Sequence, residues 1–221
     1  MAHAQARDAV TTPLDWTPIA QALAVLGLQT VRIDSAAGDR DTYLRRPDLG
    51  RRLNAESRRR LATVSGARPD LTILIADGLS STGVAANAVG VVAALLPFVA
   101  THGWAVAPVL LASQGRVALG DDAAEVLGAR AVLVLIGERP GLSSPDSLGA
   151  YLTWDPRVGR KDGERNCVSN IRRNGLSADE AAFRIQWLLR EAFRRRLTGV
   201  ALKDESNFQL ENSAGARPLI S

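Results

Sequence analysis

The sequence predicts an α/β fold: a Rossmann-like, doubly wound and mostly parallel sheet with a small helical part at its N-terminal end. Three observations predict it. Two runs, LTILIA (71–76) and AVLVLI (131–136), are apolar throughout, the texture of strands buried on both faces of a parallel sheet. The first leads through Asp77-Gly78-Leu79-Ser80 into a long apolar helical stretch, opening a β-α-β-α-β alternation whose crossovers should be right-handed. The second stops abruptly at Gly137-Glu138-Arg139-Pro140. Open sheets of this kind bind ligands beyond the carboxyl ends of their strands, which puts Glu138 where a small molecule would be held.

Taken in order, residues 15–29 predict a short helix with Leu23, Val25 and Leu26 facing inward, followed by a strand at Thr30-Val31-Arg32-Ile33. A second helix should open at Pro47-Asp48, carry Leu49, Leu53, Leu61 and Val64 on one face, and end at Gly66 and Pro69. These segments make up the expected helical part, residues 1–68, ahead of a main domain at 69–202. After the strand at 71–76 a helix should run to about Val99. Residues 104–112 offer the next strand, with Pro108 suited to a strand end or an edge. Residues 121–127 form a short helix with acids in its first turn, favourable to the helix dipole. Beyond the strand at 131–136, residues 148–154 and 167–171 are strand-like, separated by a charged, glycine-containing loop. The closing helix is the best marked, with Ser177 and Glu180 as a capping box, an apolar stripe through Ile185, Leu188, Leu189 and Ala192, and Gly199 as its stop. Residues 203–221 have little apolar periodicity and read as a disordered tail.

Composition narrows the function classes. At 221 residues and 46% hydrophobic, the chain can bury one sizeable core. A net charge of +4 is a weak nucleic-acid signal, and the triplets Arg58-Arg59-Arg60 and Arg194-Arg195-Arg196 fall on helical spacing, fitting solvated faces or a subunit contact. The single cysteine, Cys167, precludes an internal disulfide, and two histidines are too few for ordinary zinc or iron chemistry, so no metal ligands are assigned. The segment MAHAQARDAV lacks a secretory signal, which predicts a cytoplasmic protein. Residues 78–115 carry no formal charge and are long enough to span a bilayer. Because the segment is alanine-rich, contains Asn87, Pro97 and His102, and is flanked by strand-like runs, a helix buried against a sheet is expected instead, with no membrane association.

No G-x-G-x-x-G follows a strand, and there is no G-x-x-x-x-G-K-[ST] loop and no G-x-S-x-G elbow, which argues against a nucleotide dehydrogenase, an ATPase or a hydrolytic triad. No catalytic residue is assigned. Asp77-Gly78-Leu79-Ser80 reads as a turn in which Ser80 or Asp77 caps the next helix, with no ligand. By sequence logic alone only Glu138 stands out, as a carboxylate in a stiff turn at a strand end. Cys167 reads as a small buried side chain and Val117 as core.

Five segments in order, TYLRRPDLGRRL (42–53), LIADGLSSTGV (74–84), GRVALGDDAAEVLGA (115–129), LIGERPGLSSPDSLGAYLTW (135–154) and ERNCVSNIRRNGLS (164–177), resemble the small (light) subunit of ethanolamine ammonia-lyase. The resemblance runs from about residue 8 to 199. It implies a hetero-oligomer with a large, barrel-shaped subunit, adenosylcobalamin held between the two, and conversion of ethanolamine to acetaldehyde and ammonia, in the cytoplasm or within a bacterial microcompartment. It also implies that Val117, Glu138 and Cys167 contact the cobalamin, with Val117 and Glu138 just past the ends of adjacent predicted strands. By the same resemblance, substrate and radical handling belong to the large subunit. The D-x-H-x-x-G pattern that supplies a histidine to cobalt elsewhere is absent. The match starts inside the family's usual N-terminal region, so either the start is misplaced or the helical part is abbreviated. The competing expectation is a non-catalytic α/β module for another cofactor or nucleotide.

Overall fold

The computed structural model describes residues 10, 13–64, 68–141 and 144–206. The expected features of residues 1–9, of Gly66 and of the tail from 207 onward lie outside the described residues. In chain order the elements are α1 (Thr17–Val25), β1 (Thr30–Asp34), α2 (Arg40–Arg45), α3 (Ala55–Ala62), β2 (Leu71–Ala76), α4 (Ser81–His102), β3 (Val109–Ser113), α5 (Leu119–Leu127), β4 (Ala131–Gly137), β5 (Leu148–Trp154), β6 (Asn166–Ile171) and α6 (Ala178–Arg195). Short 3-10 turns at Leu49–Arg51, Asp162–Glu164 and Gly199–Ala201 complete them.

One six-stranded sheet runs β1-β3-β2-β4-β5-β6. Its first four strands are parallel, but β5 is antiparallel to both β4 and β6. The sheet is therefore mixed, which corrects the expectation of a mostly parallel, doubly wound sheet. The reason lies in the connections. Ten residues join β4 to β5 and eleven join β5 to β6, with no helix long enough for the crossover that a parallel return requires. β1, from the part before residue 68, pairs with β3, so a single sheet spans both sides of that expected boundary.

Period-two alternation sends Leu133 and Leu135 of β4 into one core and Val132, Val134 and Ile136 into the other, which is why its run is apolar without a break. The first core is closed by α1, α4 and α6, and the second by α3 and α5. Helix α4 is long and apolar enough to cross a membrane, yet it lays Val84, Ala88, Val91, Val92, Leu95 and Val99 against the sheet and α6. Each buried valine among them, and Leu95, contributes about 1.5–3 kcal/mol.

Three local expectations need correction. Val25 is 88% exposed, whereas Leu23 faces inward as expected, beside Ile19, with Leu26 partly buried against the same core. The helix expected from Pro47 breaks into the turn at Leu49–Arg51 and α3, because Asn54 caps α3 by accepting from Ser57 N at 2.7 Å and leaves the chain extended just before it. Gly199 does not stop α6. The helix ends with Arg196 in the left-handed region, φ +59°, while a side chain at Gly199 would collide with the backbone of Gly163 and Glu164. The capping box of Ser177 and Glu180 is as expected.

Candidate functional site

The carboxyl ends of β3, β2 and β4 lie side by side, and the loops that leave them build the site. β2 stands between the strands preceding Val117 and Glu138, so those strand ends are not neighbours as expected. The loops after β2 and β4 press together: Leu79 N donates to Gly137 O at 2.9 Å. A side chain on Gly137 would collide with Ser80 O, and one on Gly78, held at φ +56°, would strike Gly137 O. Only glycines allow that approach.

Ser80 caps α4 by accepting from Gly83 N at 3.0 Å and donates its hydroxyl proton to Pro145 O at 2.6 Å. Asn87 reaches Asp146 O at 2.8 Å. The first turns of α4 thus hold residues 145–147 over the end of β4. Ser147 Oγ in turn donates to Glu138 Oε2 at 2.6 Å, and Asn170 N from the end of β6 donates to the same oxygen at 3.2 Å. Glu138 is therefore fixed across the ends of β4, β5 and β6, with Oε1 outside these bonds and its carboxylate lying over Gly149. Ser147, just before β5, and Asn170 of β6 thus hold the carboxylate from outside its own turn.

Val117 is placed from the other side. Asp77, buried at the end of β2, accepts from Gln114 N at 3.1 Å and Gly115 N at 3.2 Å, holding Gln114 at φ +56°. It does not cap α4. Burial pushes its carboxyl above the usual range, against these bonds and Arg40 3.7 Å away. Tyr43 of α2 is fully buried and donates to Gly115 O at 3.1 Å. Burial drives its pKa up to about 12, so it stays a neutral donor. Arg116 stacks on the Tyr43 ring at 4.2 Å, and its backbone N donates to Gly50 O at 2.8 Å. The segment from α2 to Leu49–Arg51 thereby clamps the loop that carries Val117.

Val117, Glu138 and Tyr151 line one hollow of about 310 Å³, with Arg116 at its rim. Cys167 faces Tyr151 in register on the same side of the sheet and opens onto a second depression of about 380 Å³ along β6. The atoms packed around the thiol raise its pKa although Cys167 sits at the exposed surface. Helices α3 and α5 cover this face of the sheet as far as β4. Beyond it Tyr151 is half-buried and Cys167 exposed, so the face is open. The structure thus gathers the three expected residues around Tyr151, although Cys167 is not the buried filler that its residue type alone suggests. Tyr43, Asp77, Arg116 and Tyr151 were not expected at the site. The signal for Tyr151 is an aromatic residue at an outward position of a strand that otherwise alternates apolar and small residues. His102 stacks on Trp104 at the opposite end of the sheet.

Fold and site define an α/β protein whose helices close two cores and one end of whose sheet carries a shaped, open surface. The chain belongs to the ethanolamine ammonia-lyase light chain (EutC) family, whose model matches residues 1–203. It is similar to the protein named ethanolamine ammonia-lyase small subunit of Xanthomonas campestris pv. campestris, 54% identical over 210 residues, covering 94% of this chain and 77% of that one. Against the protein of that name from Rhodopseudomonas palustris identity is 55% over 217 residues, 98% and 82% of the two chains. For Bradyrhizobium diazoefficiens it is 56% over 205 residues, 92% and 78%.

Proposed function

We propose that this chain is the small subunit of an adenosylcobalamin-dependent ethanolamine ammonia-lyase. In that assembly it pairs with a large catalytic subunit and holds one side of the cofactor while ethanolamine is converted to acetaldehyde and ammonia. The observation that carries the reading is Glu138: one oxygen is tied by Ser147 and Asn170 N, and the other is left to the hollow it shares with Val117 and Tyr151. A corrin ring is rimmed with methyl groups and primary amides. A carboxylate oxygen without a donor among the described residues suits an amide N–H, and Val117 with the aromatic face of Tyr151 suits the methyl edge. The open face across Tyr151 to Cys167 lets a body wider than the hollow lie on the sheet. Bound adenosylcobalamin supplies carbon-radical chemistry by homolysis of its cobalt–carbon bond. The residues of this chain orient it and keep water from the covered side, and the large subunit closes the other side.

Cys167 is the only cysteine in the chain and reports directly on this arrangement. In the complex of both subunits, saturating adenosylcobalamin should slow iodoacetamide labelling of Cys167 several-fold, read by mass spectrometry of this chain. Equal labelling with and without cofactor would remove Cys167 from the site.

A further inference from the structure

A second hollow, about 560 Å³, lies between the turn at Leu49–Arg51, the loop after β3 and residues 158–165, and it shares Arg116 and Val117 with the Glu138 hollow. Its lining is strongly cationic. Arg51, Arg52, Arg116, Arg160, Lys161 and Arg165 face it, against a single carboxylate, Asp162. Within the lining, Arg165 is already paired with Asp121 and Arg160 with Asp155 and Glu164, while outside it Asp122 pairs with Arg58 and Asp48 with Arg46. Arg51, Arg52, Arg116 and Lys161 form no ion pair among the described residues.

Two buried donors in this lining lack an acceptor. Arg165, with 3% of its side chain exposed, spends Nη1 on Asp121 at 2.6 Å and Thr153 at 3.0 Å, and Nη2 on Arg160 O at 2.7 Å. Its Nε has no hydrogen-bond partner, and Asp162 Oδ1 stands 3.6 Å off. Arg116 donates through Nη2 to Tyr43 O at 3.2 Å, and its Nε is likewise buried without a partner. Native structures seldom leave such groups unmatched, so each calls for an explanation. A tetrahedral oxyanion offers several strong acceptors at once, and arginine is the side chain best shaped to meet it.

We propose that this groove is a phosphate-ester binding site, in which Arg51, Arg52, Arg116 and Lys161 take the phosphate oxygens. The phosphate has two chemical sources. It is the phosphodiester in the nucleotide arm of a cobalamin seated on the Glu138 hollow, an arm that rests on the proposed function, or it is a separate phosphate-bearing small molecule.

The test uses the assembled complex of both subunits, wild type and Arg51→Gln/Arg52→Gln, whose two side chains are exposed and make no side-chain bond among the described residues. Calorimetric titration with inorganic phosphate and with dimethyl phosphate should show binding to wild type, weakened at least tenfold in the variant. Cobalamin and cobinamide, which lacks the nucleotide phosphate, separate the two sources. If the cofactor supplies the phosphate, the preference for cobalamin shrinks about tenfold in the variant while cobinamide affinity holds. If the preference is unchanged but phosphate binding is lost, a free phosphate ester is the ligand. Failure of the cofactor reading appears separately, as cobinamide affinity insensitive to Glu138→Ala. The proposal is overturned if wild type binds neither phosphate probe at millimolar concentration and the cobalamin preference does not move. It is equally overturned if the variant loses only the large subunit and phosphate does not compete, which would assign the groove to an acidic segment of that partner.

Discussion

Glu138 shares a hollow with Tyr151, and Cys167 stands opposite Tyr151 in the next strand, yet the two should answer differently to substitution. Glu138 is fixed by two donors, whereas Cys167 stands opposite Tyr151 in register and its thiol is held above the ordinary range mainly by the atoms crowded around it. It is therefore protonated at neutral pH and contributes shape in place of nucleophilicity. Cys167→Ala should keep most cofactor affinity and activity, while Cys167→Trp should obstruct the open face and abolish cofactor binding with little effect on folding, since the position is exposed. Binding assays on both variants with the same large subunit decide this. Equal loss in both would mean that the sulfur itself matters, and no loss in either would take the residue out of the site. Glu138 was legible from sequence because a charge directly after a buried strand is conspicuous. Val117 and Cys167 came from family resemblance alone, since a small or branched side chain looks the same in a core and on a binding surface.

At the scale of elements, the strands with continuous apolar runs and the helix with a complete capping box were legible, because each carries its own local signature. Strand direction was not. Nothing in the residues of β5 encodes antiparallel pairing, and the overlooked signal was the length of its connections, too short for a crossover. The role of the N-terminal elements was also hidden. Tyr43 and Gly50 act through the loop after β3, more than sixty residues later, and only tertiary contact reveals that. Asp77 offers a direct test of this clamp, since it holds Gln114 and Gly115 without lining the hollow. Asp77→Ala leaves two backbone donors without their carboxylate and frees the left-handed turn, which should cost about 1–3 kcal/mol in chemical denaturation. Cofactor affinity should fall as well, although the residue touches no ligand. Unchanged stability and unchanged affinity together would show that the loop needs no such anchor.

Across the whole molecule the two faces of the sheet divide the work: one is closed by α1, α4 and α6, and the other is closed only as far as β4, leaving the Glu138 end open. The buried pair Asp121–Arg165 ties α5 to the start of β6 at the border of that open region. Burial drives Asp121 up to about 6 despite Arg165, and its Oδ1 finds no partner. The sign follows from proton binding. Between an unfolded value near 3.8 and a folded value near 6, the folded chain holds the extra proton. The contribution of Asp121 is therefore fully present below the unfolded value and is lost as pH rises through about 6. Denaturant midpoints of wild type should fall across that window relative to Asp121→Asn, and parallel curves for the two proteins would contradict it. The central claim, that the open end of this sheet holds one side of the cobalamin, is tested most directly by titrating adenosylcobalamin into the complex of both subunits carrying Glu138→Ala. Loss of a charged hydrogen bond worth about 1–3 kcal/mol predicts affinity weakened roughly tenfold to a hundredfold, with the two subunits still co-eluting. Wild-type affinity in that variant would contradict the account.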